Sequence, residues 1–152
     1  MRQGSNEMIK VLEAFSGIGA QAKALERLNI DYDIVATADW DINAIMAYDL
    51  IHNGVQDLSQ YMKFTKQELV SMLSKYTLSP DGKTPYKEGS LSRTNIEVLR
   101  RLLCAIERTN NLVSITDMTA DDIPEDLDLL TYSFPCQDLS IAGVWHGNMS
   151  GI

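Results

Sequence analysis

Two sets of residues have types and spacings that chemistry can use. The first is Phe15-Ser16-Gly17-Ile18-Gly19-Ala20-Gln21-Ala22, which satisfies a G-x-G-x-x-G/A spacing at Gly17, Gly19 and Ala22. Glycines so placed let the backbone turn tightly and approach a ligand, whose polar groups meet the free N–H groups opening the next helix. Asp39 stands 20 residues past Gly19, where a carboxylate can accept hydrogen bonds from both hydroxyls of a ribose. Trp40, directly after it, can stack on an adenine face or simply join the core. Asp117, further along, can accept a hydrogen bond from an exocyclic amine. Together they suggest an adenosine-containing ligand, with NAD and S-adenosyl-L-methionine both open on spacing alone. The bland alternative is a plain strand-to-helix turn with Asp39 as a cap or surface acid.

The second set is Ser133-Phe134-Pro135-Cys136-Gln137-Asp138-Leu139-Ser140. A free thiol titrates near about 8.5, so a nucleophilic Cys136 needs a positive or hydrogen-bonding setting that favours thiolate. An inert buried cysteine is the alternative, but Pro135 before it and Gln137-Asp138 after it argue against a wholly apolar pocket. The other cysteine, Cys104, lies close to an apolar helical stripe and reads as a small buried hydrophobe. Two cysteines this far apart cannot form a CxxC pair and are too few for a disulfide framework or a zinc cluster. No metal site is expected.

Elements must bring these residues to one place. Met8–Ala14 is a short β-branched and apolar run ending at the glycines, which reads as a buried strand. Ala20–Leu28 is rich in helix formers, with Ala24, Leu25 and Leu28 on one face. Ile34–Ala38 reads as a second strand, after which Asp41 can cap a helix running through Ile45, Met46 and Leu50 to Asn53-Gly54. Helices are then expected near Thr65–Lys75 and Asn95–Thr109, around a turn-rich stretch Ser79–Gly89 marked by Pro80-Asp81-Gly82 and Pro85. Leu99, Leu102, Leu103 and Ile106 form the stripe of the later helix. Leu112–Ile115 reads as a third strand and Leu127–Ser133 as a fourth. Strands separated by helices predict an α/β fold with a mainly parallel, doubly wound, Rossmann-like sheet. Gly17, Asp39, Asp117 and Cys136 would then meet at its carboxyl edge.

The chain of 152 residues suits one domain, and 45% hydrophobic against 22% charged residues is the balance of an ordinary globular protein. No apolar run is long enough to span a membrane, and residues 1–10 lack a secretory apolar region, so a cytoplasmic location is expected. The net charge of -8 argues against non-specific attraction to nucleic acid. That charge is uneven: residues 62–108 hold nine of the 13 Lys and Arg against five acids, a net +4, leaving -12 elsewhere. Solvated helix faces explain such a segment, and a DNA-contacting surface is the other reading.

At this point the sequence resembles the DNA (cytosine-5)-methyltransferases of bacterial and phage restriction-modification systems. Glu13-Ala14-Phe15-Ser16-Gly17-Ile18-Gly19-Ala20 is similar to the family's first motif, Asp39-Trp40-Asp41 to its second, Thr116-Asp117-Met118-Thr119 to its third and Phe134-Pro135-Cys136-Gln137 to its catalytic fourth. The resemblance implies a class I methyltransferase fold and S-adenosyl-L-methionine as cofactor. Phe15, Trp40 and Met118 would line the adenine pocket, Asp39 would hold the ribose and Asp117 the adenine amine. Ser16, Gly17, Gly19 and Pro135 would complete the cofactor site. Cys136 would be the nucleophile, and Ser140, Gly143 and Gly147 would belong to a catalytic loop. The substrate would be double-stranded DNA with the target cytosine flipped out.

The resemblance treats residues 1–152 as the N-terminal part of the catalytic domain, with 54–112 a helical insertion longer than the family's usual link between second and third motifs. The family's Glu-Asn-Val and Arg-x-Arg motifs and its target-recognition domain are not found. A chain of this kind is expected to bind cofactor but not to methylate unaided, to pair with a C-terminal half, and to self-associate through an exposed sheet edge. A non-catalytic cofactor-binding remnant is the runner-up. An NAD-dependent oxidoreductase is favoured only by the glycine spacing.

Overall fold

The computed structural model describes residues 8–133. Its sheet is β1 (Ile9–Ala14), β2 (Tyr32–Ala38) and β3 (Leu129–Tyr132), in the order β2-β1-β3 with both pairings parallel. Between β1 and β2 runs α1 (Ala20–Arg27), and α2 (Ile42–Asn53) follows β2. The expected α/β class with a parallel, Rossmann-like sheet is therefore what the chain adopts. Central β1 has neighbours on both sides, which accounts for its run of apolar residues and the full burial of Val11 and Leu12.

The segment after α2 folds as α3 (Lys66–Leu73) and α4 (Ile96–Arg108), with short 3-10 turns at Ser59–Tyr61 and Ser90–Arg93. α4 packs against both α2 and α3. The contact is an apolar cluster built from Ile45 of α2, Leu69 and Leu73 of α3, and Leu99, Leu102, Leu103 and Ile106 of α4. Removing each such side chain from water stabilises the fold by about 1.5–3 kcal/mol. α2, α3 and α4 each start where the sequence supplies a side-chain cap, whereas α1 starts at Gly19 without one. Asp41 accepts from the Asn43 N–H, Asn95 from the Glu97 N–H, and Thr65 forms a capping box with Glu68. The insertion therefore shares one core with α2.

A buried polar network ties the insertion to α2. Asp49, wholly buried, accepts from the amides of Asn53 at 2.8 Å and Gln56 at 2.9 Å and pairs with Arg108 Nε at 3.3 Å. Arg108 also donates to the Asn53 carbonyl. Cys104 is buried in the α4 stripe as expected, and burial pushes its thiol up.

One expected element is absent. Leu112–Ile115 is not a strand, so the described sheet has three strands rather than four. A single parallel bridge joins Thr37 to Asn111, and there the pairing stops. Asn111 Oδ1 accepts from the main-chain N–H of Asp39 at 3.2 Å and of Val113 at 2.7 Å, taking a role that a ladder carbonyl would have. Val113 sits at φ 62, a region that breaks an extended run and that β-branched residues rarely enter. The expected fourth strand is β3, and it is shorter than Leu127–Ser133. It is also not buried on both faces: Leu129 and Thr131 are half-buried, while Leu130 and Tyr132 are 51% and 64% exposed.

Candidate cofactor-binding edge

Parallel register brings the three strand ends together. Ala14 pairs with Ala38 on one side and with Tyr132 on the other, so Phe15–Gly19, Asp39 and Ser133 all emerge at the carboxyl edge of the sheet. The turn after β1 needs unusual backbone. Gly17 has φ 53 and Gly19 has φ 87, both in the left-handed region that glycine enters without steric cost. Crowding adds a second reason at Gly19, because a Cβ there would run into the His52 ring, whose Nε2 donates to the Ile18 carbonyl at 3.1 Å.

Asp39 is the hinge of this edge. Its Oδ2 accepts from the Gly17 N–H at 2.8 Å and its Oδ1 from the Asp41 N–H at 2.9 Å. One half-buried carboxylate thus joins the glycine turn to the end of β2. An ionised carboxylate has about four lone-pair sites, so both oxygens keep room for further donors. Ser16 is buried and its N–H donates to the Ala38 carbonyl at 3.2 Å. Phe15 is half-buried at φ 51.

Glu13 supports the edge from below, and sequence reasoning gave it no role of its own. Wholly buried in β1, it accepts from the Ala22 N–H of α1 at 3.2 Å and from the Tyr48 hydroxyl of α2 at 2.8 Å. Burial, reinforced by that carboxylate, raises the Tyr48 phenol above its ordinary value. The signal was an acid inside an apolar strand, where only a satisfied carboxylate is tolerated. Ala22 N–H is thereby satisfied, whereas the N–H groups of Ala20 and Gln21 in the same first turn have no intrahelical acceptor.

The other expected residues are placed less closely. Trp40 is half-buried and packs against the helical core. Asp117 is exposed on a turn, its N–H bonded to the Ser114 carbonyl at 3.0 Å, and Met118 beside it is half-buried. Among the described residues no hydrogen bond joins Asp117 to Asp39 or to the glycine turn. Pro135 and Cys136, with Ser140, Gly143 and Gly147, lie outside the described residues. The segment leading to them is tied to the site, since Gln21 Nε2 of α1 donates to Ser133 Oγ at 2.9 Å. No group of three or more His, Cys, Asp or Glu suited to a metal ion occurs among the described residues. Nor is any helix among them long and apolar enough to cross a membrane.

Residues 90–150 match the family model described as C-5 cytosine-specific DNA methylase. Over 98% of its length the chain is 38% identical to the orphan methyltransferase M.SssI of Spiroplasma monobiae, and over 92% it is 32% identical to the type II methyltransferase M2.ScrFI of Lactococcus lactis subsp. cremoris. Over 89% it is 25% identical to the orphan methyltransferase M.SPBetaI of Bacillus phage SPbeta. The chain spans 39% of the first of these relatives, 38% of the second and 18% of the third. The resemblance of this chain to part of a DNA (cytosine-5)-methyltransferase is borne out.

Proposed function

We propose that this chain, which matches the C-5 cytosine-specific DNA methylase family model over residues 90–150 and is similar along nearly all its length to part of the methyltransferases M.SssI and M2.ScrFI, forms the cofactor-binding and nucleophile-bearing portion of such an enzyme. The observation that carries the reading is the Asp39 carboxylate, which binds the Gly17 and Asp41 N–H groups and so unites the first two motif segments at one sheet edge. S-adenosyl-L-methionine fits that edge. Asp39 keeps acceptor sites for ribose hydroxyls, Gly17 and Gly19 admit close approach of a ligand, and Ala20 and Gln21 offer N–H donors. Phe15, Ser16, Trp40, Asp117, Met118 and Pro135 complete the proposed set. When bound, this cofactor supplies an electrophilic methyl group.

The residue proposed to use that methyl group is Cys136. Its thiolate adds to carbon-6 of a cytosine flipped from duplex DNA, forming a carbon–sulfur bond and turning carbon-5 into an enamine-like nucleophile. After carbon-5 has taken the methyl group, loss of its proton drives the electron pair back and expels the thiolate. An aromatic carbon is otherwise a poor nucleophile, which is why the covalent step is needed. Duplex DNA is the proposed substrate, and the rest of the enzyme is proposed to hold it.

A second reading, a non-catalytic cofactor-binding chain or one half of a split enzyme, draws on the exposed Leu130 and Tyr132 of β3, which pairs only with β1 among the described residues. Calorimetric titration tests the shared premise. S-adenosylhomocysteine should bind the chain and NAD should not. Binding of NAD in preference would replace both readings with an oxidoreductase.

A further inference from the structure

The resemblance gives the insertion 54–112 no part in the site, yet one of its turns grips the Asp39 corner. Ser79, wholly buried, donates its N–H to the Trp40 carbonyl at 2.8 Å and accepts at its own carbonyl from the Ile42 N–H at 3.0 Å. These two bonds flank Asp41 and form an isolated parallel bridge between Asp41 and Ser79. The Trp40 carbonyl and the Asp41 N–H belong to one planar peptide group. Ser79 therefore holds the carbonyl end of the same plane whose N–H end donates to Asp39 Oδ1 at 2.9 Å. Fixing one end of a rigid plane fixes the direction of the other.

The turn that presents Ser79 is itself locked. Asp81 Oδ1 accepts from the Lys83 and Thr84 N–H groups, both at 2.9 Å, and Ser79 Oγ donates to the Thr84 carbonyl at 2.6 Å. Pro80 offers its carbonyl to the Asn43 amide at 3.2 Å. Gly82, at φ 70, lies so close that a Cβ would stand 3.1 Å from Asp41 Oδ2. Asp41 in turn caps α2 through Oδ1. Ser79, Pro80 and Gly82 of the turn thus all lie against the corner or the helix start beside it.

We propose that the Ser79–Thr84 turn of the insertion is a positioning element for Asp39, orienting its carboxylate toward the ribose of the cofactor through the Trp40–Asp41 peptide. The proposal rests on the reading of Asp39 as the ribose-binding acid. It makes the insertion part of ligand recognition rather than a helical appendage. Ser79→Pro deletes the N–H that holds the Trp40 carbonyl, and Gly82→Ala presses on Asp41 while leaving that N–H in place. Lys87→Ala, an exposed change in the same insertion, is the control.

Two readouts on the full chain decide it. The first is the ratio of affinities for S-adenosylhomocysteine and for an analogue lacking both ribose hydroxyls. Charge-assisted hydrogen bonds to those hydroxyls should give the unmodified chain a ratio of about 10 or more. Ser79→Pro and Gly82→Ala should lower it about fivefold or more, chiefly by weakening the hydroxylated ligand, and Lys87→Ala should not. A merely structural turn would weaken both ligands alike, and that outcome overturns the proposal, as does an unchanged ratio. The second readout is amide hydrogen exchange of Asp41 and Gly17 without ligand, which should quicken about tenfold in both turn variants relative to Lys87→Ala. Unchanged exchange in both turn variants, each shown to be folded, overturns the brace whatever the ligand does. If instead the unmodified chain ignores the ribose hydroxyls, the assignment of Asp39 falls, and with it the proposal, while the exchange data still show whether the turn holds the peptide.

Discussion

Asp39 carries more of this structure than a ligand-binding acid alone would. Its two oxygens already accept the Gly17 and Asp41 N–H groups, so the carboxylate is oriented before any ligand arrives. Preorganisation of this kind makes a hydrogen bond cheaper to form on binding. Asp39→Ala should therefore weaken S-adenosylhomocysteine by roughly 1.5–3 kcal/mol, about 10- to 150-fold in titration. An unchanged affinity would remove Asp39 from the site. At this scale spacing revealed the glycine turn, because Gly17 and Gly19 stand where a tight turn requires them. It could not reveal Glu13 as the support beneath them, since that role depends on Tyr48 and Ala22 reaching it from two helices. Ser79 was equally hidden, 40 residues along the chain from Asp39 and acting through its backbone.

Helices were the most legible elements, because three of the four announce their own start. Asp41, Thr65 and Asn95 cap α2, α3 and α4 where their side-chain chemistry says they should. The expected strand Leu112–Ile115 failed because local apolar content does not reveal a side chain such as Asn111 standing in for the ladder. Pairing between elements was likewise invisible, as the Asp49–Arg108 contact between α2 and α4 shows. Arg108→Ala should destabilise the fold by about 3 kcal/mol in urea unfolding, since it leaves a buried carboxylate with only its amide partners. A change below about 0.5 kcal/mol would show those amides to suffice. The Ser79–Thr84 turn has a pH signature. The Thr84 and Lys83 N–H groups lower the Asp81 carboxyl from 3.8 to about 2. A depressed acid stabilises the folded form above its unfolded value, so the turn's contribution is full above pH 3.8 and is lost as pH falls toward 2. The Lys83 and Thr84 amide resonances should titrate with a midpoint near the lower value. A midpoint at 3.8 would show that the turn does not hold Asp81.

For the molecule as a whole, charge and sheet topology point the same way. A net charge of -8 works against holding a duplex in register, even with nine Lys and Arg gathered in residues 62–108. β3 pairs only with β1 among the described residues and exposes Leu130 and Tyr132, so a complementary polypeptide has both backbone groups and apolar surface to meet. The chain spans 39% of M.SssI, and positioning and electrostatics supply most of a barrier reduction, so the thiolate by itself should achieve almost nothing. Transfer of a radiolabelled methyl group to unmethylated duplex DNA tests the central claim most directly. It would be measured with the chain alone, with a polypeptide covering the part of M.SssI that the chain does not span, and with both mixed. We predict no methylation by either piece, methylation by the mixture, and none when Cys136→Ser replaces the native chain in it. Robust methylation by the chain alone, or activity in the mixture that survives Cys136→Ser, would contradict this account.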